Sequence, residues 1–216
     1  VTGGSGETAE SVVSGGRHLR RVANPARQVR YDEEVKTLIR SAQEVMRRKG
    51  RTEMPTVAEI VREAGVTNQA FYRHFRSRDD VIVATYEQGL LTLHSYLEHQ
   101  VSKCSGAHDR IRAWIEGVLA QIEDSRLSQL SAVILWNVGQ VARAESEIEP
   151  VGFARMLHLL DTVLADGGVA DHERAALFVQ TLVLGMTSRY HDSGTVPTAA
   201  DREHLVRFCL DGIGIG

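Results

Sequence analysis

The densest group of side chains able to do chemistry lies between Thr67 and Arg78, in the run TNQAFYRHFRSR. Asn68 and Gln69 carry amides whose paired donor and acceptor match adenine in the major groove, and base edges are reached from the N-terminal turn of a recognition helix. Thr67, Tyr72, Arg73, His74, Arg76 and Arg78, with Thr56 just upstream, offer hydroxyl, phenol, imidazole and guanidinium groups. Such groups suit phosphate oxygens, which set register without reading sequence. The chemistry expected is therefore binding of double-stranded DNA.

Other chemistries find less support. None of the nine histidines has another four residues away, and no His-Glu-x-x-His occurs. His158 shares an apolar stripe with Phe153, Met156, Leu157 and Leu160 and is expected in the core or a pocket. Cys104 and Cys209 fit neither a metal spacing nor a disulfide framework, so free thiols in a reducing cytoplasm are expected. No phosphate-cradling Gly loop and no Gly-x-Ser-x-Gly is present. No cofactor, metal or catalytic residue is expected.

The elements that must position the cluster follow from local signals. Thr56 with Glu59 three residues on forms a capping box that starts a helix at Val57. Val57, Ile60, Val61 and Ala64 share one face, Gly65 supplies a left-handed exit, and Thr67 caps a second helix to about Phe75. Ser77 and Asp80 start a long helix reaching about Lys103. Before this unit, Val35, Leu38, Ile39, Ala42, Val45 and Met46 mark a helix over 31–49, with Asp32 to Glu34 in its first turn and Arg47 to Lys49 in its last, complementing the dipole.

These residues resemble the TetR family of bacterial transcriptional regulators. The family's pattern is carried by Thr56, Ala64-Gly65-Val66-Thr67, Tyr72-Arg73-His74-Phe75 and Ser77-Arg78-Asp79, over about 45 residues ending at Val81. Gln69 stands where the family often has Gly, and Arg78 where it often has Lys. The resemblance implies an all-α protein, with an N-terminal three-helix helix-turn-helix head and a C-terminal helical body for ligand binding and dimerisation. It also implies that the last two helices pair with their copies in a homodimer. A small-molecule effector would then lie between body helices, where Trp114, Trp136, Phe153, Met156, Met186 and Tyr190 are candidate lining; each taken singly also fits plain core.

Charge divides the chain in the same way. Formal net charge is -3, yet residues 17–78 hold 15 Lys plus Arg against 7 Asp plus Glu, whereas residues 79–216 hold 10 against 19. A basic front on an acidic body is the footprint of a protein that meets phosphate at one end. Residues 1–30 read as a disordered arm with five arginines from Arg17 to Arg30, either lying on DNA or simply solvated. Residues 31–80 read as the DNA-binding unit and 81–216 as the body, with further helices over 109–123, 127–144, 150–165, 171–191 and 199–213. The 171–191 segment is apolar on most sides, so it must be buried on more than one. No run of 18 apolar residues suggests a membrane span, and a cytoplasmic location is expected.

The resulting expectation is a repressor released from its operator by a small hydrophobic or amphipathic molecule. Two alternatives stay open at the level of sequence. One is an activator or co-repressor-dependent regulator of the same fold. The other is a small-molecule carrier or enzyme that uses the body cavity.

Overall fold

The computed structural model describes residues 25–123, 125–142 and 150–215, which form nine helices and, among the described residues, no strand. The arm before Pro25, and Glu145, Glu147 and Glu149 ahead of Pro150, lie outside the described residues.

Helix α1 (Pro25–Lys49) begins at Pro25 rather than at Tyr31. Proline's fixed φ suits a first helical position, and the N–H it lacks would be unbonded there anyway. Arg27 and Arg30 consequently belong to α1, and no acidic residue stands in its first turn. The buried stripe is the expected one: Leu38, Ile39, Ala42, Val45 and Met46 are enclosed, with Val35 at its edge.

Helices α2 (Val57–Ala64) and α3 (Asn68–His74) close over that stripe. The Thr56 hydroxyl accepts from Glu59 N at 3.3 Å, while Glu59 Oε2 accepts from Thr56 N at 2.8 Å. Gly65 adopts φ 65°, a conformation that side-chain-bearing residues avoid, so the chain turns sharply there. Thr67 then accepts from Ala70 N at 3.2 Å and starts α3. Ile60 and Phe71 are fully buried between the helices, each worth roughly 1.5–3 kcal/mol of transfer free energy. Salt bridges fasten the end of α1 to α2: Lys49 to Glu59 at 2.8 Å and Arg48 to Glu63 at 2.7 Å.

Ser77 accepts from Asp80 N at 3.0 Å and caps α4 (Arg78–Ser102). The body continues with α5 (Ala107–Glu123), α6 (Ser125–Ala142), α7 (Val151–Asp166), α8 (His172–Ser193) and α9 (Ala199–Gly212). Its core gathers Leu90 and Leu97 of α4, Trp114 and Ile115 of α5, Met156 and Leu160 of α7, and Val183 of α8. Helices α4 and α7 approach closely at Gly152, where a Cβ would meet that of Leu90 at 2.4 Å.

Helix α6 has a second allegiance. Val133, Ile134 and Val141 are buried with Leu38, Met46 and Val81 in the N-terminal cluster, so the head core is completed by a body helix. Helix α8 turns Ala176, Val179, Val183 and Thr187 inward and leaves Leu177 and Phe178 exposed. Among the described residues no helix is long and apolar enough to cross a membrane.

Candidate functional site

The outward face of α3 starts with its cap. Thr67, Asn68 and Gln69 are all exposed, and among the described residues neither amide is held by a hydrogen bond. One turn later Tyr72 is 58% exposed, its ring edge-on to buried Phe71 with centroids 5.3 Å apart. The Arg76 side chain stands almost free in solvent, loosely 4.0 Å from Asp80. Arg78 is partly covered and donates to Asp79 at 2.7 Å. Thr56 is exposed at the start of α2 with its hydroxyl engaged by Glu59. The unbonded amides of Asn68 and Gln69 and the phenol of Tyr72 are therefore exposed on a helix whose rear is fixed by Phe71 and Phe75.

His74 departs from the expected set. Its side chain has no exposed surface, its ring packs edge-on to Tyr31 at 4.3 Å, and Nε2 lies 2.8 Å from Glu34 Oε2 on α1. Arg73 donates to the same oxygen at 2.9 Å while remaining exposed. The hydrogen bond with His74, then the nearby Arg73 charge, holds the Glu34 carboxyl below its usual range. The structure thus uses His74 to anchor α3 on α1, beneath the surface that would meet phosphate. Spacing within α3 missed this because the partner, Glu34, stands forty residues earlier on α1.

A second site lies in the body, a cavity of about 580 Å3 bounded by α4, α5, α6, α7 and α8. Of the six lining candidates Phe153 borders it, with its ring edge-on to Tyr86 at 5.8 Å. Trp114 and Met156 are fully buried in the core, while Met186 and Tyr190 are partly buried against that core. Trp136 is half-buried on α6 and lies outside the lining. His158 is exposed rather than in core or pocket, because the inward face of α7 is taken by Met156, Leu160, Val163 and Leu164.

The lining that sequence reasoning missed includes Tyr86, Leu93, Val118, Ile134 and His191. Burial pushes the Tyr86 phenol up, helped by the adjacent Glu87, and pushes the His191 imidazole down. His191 Nδ1 lies 3.4 Å from the Ser128 hydroxyl. Gln43 of α1 also borders the cavity, so a helix of the head forms part of its wall. Among the described residues no group of three His, Cys, Asp or Glu is placed to hold a metal.

A third feature is an open groove of about 440 Å3 between α8 and α9, lined in part by Phe178, Leu182, Phe208 and Cys209. Phe178 and Phe208 are each more than 60% exposed.

Residues 38–85 match the family model for bacterial regulatory proteins of the tetR family. No curated protein matches the chain. Solved structures do. Escherichia coli NemR in its reduced form is similar at 20% identity and TM-score 0.63, over 83% of this chain and 96% of that one. A transcriptional regulator from Rhodococcus sp. Rha1 is similar at 21% identity and TM-score 0.62, over 83% and 95%. FadR of Bacillus subtilis, in complex with stearoyl-CoA, is similar at 16% identity and TM-score 0.56, over 82% and 96%. At these identities the likeness is one of fold.

Proposed function

We propose that the chain, whose residues 38–85 match the tetR family of bacterial regulatory proteins, is a TetR-family repressor released from its DNA operator by a small hydrophobic or amphipathic molecule. The observation that carries the DNA half is the first turn of α3, where Asn68 and Gln69 are exposed and unattached behind the tight turn at Gly65. Thr56, Thr67, Tyr72, Arg73, Arg76 and Arg78 surround them as backbone contacts. The basic residues of the head supply the sequence-independent attraction.

The ligand half rests on the shared walls. Ile134 of α6 borders the body cavity and is also buried in the head core, and Tyr86 of α4 packs against both clusters. A molecule that fills the cavity therefore presses on side chains that position the head. In a homodimer joined along α8 and α9, such a shift changes the separation of the two α3 helices. Binding then weakens when that separation no longer matches major-groove half-sites ~34 Å apart or a multiple of it. The stearoyl-CoA bound to the FadR relative is consistent with effectors that carry long apolar chains. The protein acts in the cytoplasm, where the operator is.

The test is fluorescence anisotropy on a labelled random duplex at increasing salt. Binding at low salt that falls steeply and log-linearly with salt is expected. No duplex binding at low salt by the folded protein would remove the regulator reading and leave the cavity as the working part of the molecule.

A further inference from the structure

The body cavity has walls of one chemical kind. Its inner surface is aliphatic and aromatic, formed by Leu90, Leu93, Val118, Ile134 and Phe153. The polar groups between them are hydroxyls such as Tyr86 and Ser131, carboxamides such as Gln43 and Gln121, and the imidazole of His191. Among the described residues no Lys, Arg, Asp or Glu lines it, and this holds at the exposed mouth formed by Gln88, Gly89, Thr92 and Tyr96 as well as at the buried end. Burial pushes the His191 imidazole down, which favours its neutral form. The Thr187 hydroxyl is already committed to the Val183 carbonyl at 2.8 Å.

An ion entering such a cavity loses hydration and meets no countercharge in exchange. An apolar chain gains in proportion to the area it removes from water, and a single hydroxyl or carbonyl on it has neutral partners to meet. At the mouth an ionic headgroup keeps its water but gains no countercharge, because the side chains there are neutral too. We infer that the effector is an uncharged, mainly apolar molecule with one or two hydrogen-bonding atoms, and that the cavity discriminates against carboxylates and organic cations of the same length. This rests on the cavity being the effector site, and it narrows the hydrophobic-or-amphipathic class to the members without charge.

The experiment is titration calorimetry on the full chain, off DNA, with decan-1-ol, decanoate and decyltrimethylammonium, each below its aggregation limit at neutral pH. The alcohol should bind at least ten-fold tighter than either ion. Leu93→Trp, which fills the cavity, should weaken the alcohol ten-fold or more. Ser131→Arg, which adds a countercharge, should bring decanoate ahead of the alcohol. Either ion binding as tightly as the alcohol to the wild-type protein overturns the inference while leaving the cavity as an effector site. Alcohol binding unchanged in a folded Leu93→Trp protein places the alcohol elsewhere and also overturns it. Binding of none of the three overturns both this inference and the effector reading of the cavity, whereas the DNA half of the proposed function answers separately to the duplex titration.

Discussion

His74 on α3 and Glu34 on α1 are joined at 2.8 Å, with the imidazole wholly removed from solvent although its neighbours on α3 face outward. The other ring nitrogen, Nδ1, is buried without a hydrogen-bond partner. Glu34 is thus the polar partner that makes burial of the ring tolerable, and the contact fixes the C-terminal turn of the DNA-facing helix. Glu34→Ala should destabilise the head, because it leaves the buried His74 ring without a polar partner, and should weaken binding to all duplexes alike. Urea unfolding and duplex titration check the two effects together. A His74→Ala protein of unchanged stability but shallower salt dependence would instead return His74 to the phosphate-contacting set.

Acid should loosen the head. The hydrogen bond from Lys49, then the backbone and side-chain bonds from Thr56, hold the Glu59 carboxyl down to about 2. A carboxyl whose folded pKa lies below its unfolded value contributes stability above the unfolded pKa, and loses it as pH falls through the folded one. The loss therefore spreads from about pH 4.5 to about pH 2. Glu59→Gln keeps an acceptor for the Thr56 N–H but surrenders the charge, so its helical signal should show a smaller stability change across that window. An acid titration identical to wild type would assign the loss to other carboxylates.

The exposed phenylalanines of α8 and α9 need cover. Phe178 and Phe208 border one groove and lie more than 60% in solvent, which favours a second copy of the chain along these helices. Phe178→Glu combined with Phe208→Glu should give a folded monomer in sedimentation velocity. Val183→Asp is a different experiment despite lying on the same helix, since Val183 is fully buried in its own subunit and its replacement should unfold the body. A dimer that survives the double Phe substitution would move the interface off α8 and α9.

How much of this was legible in the sequence depended on how local each signal is. The caps at Thr56, Thr67 and Ser77, the turn at Gly65 and the stripe from Leu38 to Met46 are set by neighbours within a few residues, and all are found where the spacing puts them. The arm is expected to run to residue 30, yet α1 opens at Pro25, because proline suits a first helical position. The burial of His74 depends on a partner forty positions away, and no periodicity within α3 encodes that. The cavity is harder still. Large aromatic and Met side chains were chosen as lining, but Trp114 and Met156 fill the core because bulk is what closes space. The void is left beside modest residues such as Leu93, Val118 and Ser131, which only the packing of six helices, α1 among them, brings together.

Base reading should concentrate at Gln69, with Asn68 beside it, while Tyr72 holds the backbone. Both amides project from the first turn of α3 and are exposed, and an amide can meet both the donor and the acceptor that adenine presents in the major groove. Tyr72 stands one turn further on, with its ring braced against Phe71, and a single phenol on a braced ring suits a phosphate oxygen better than a base edge. Gln69→Ala should therefore cost ~1–3 kcal/mol on the preferred operator and relax the preference at one base pair. Tyr72→Phe should weaken every duplex by a similar factor and leave the preference intact. Titration of both variants against a panel of single-base operator changes separates the roles. If Gln69→Ala keeps the wild-type preference at every position, the side chain only shields phosphate, and reading falls to Asn68.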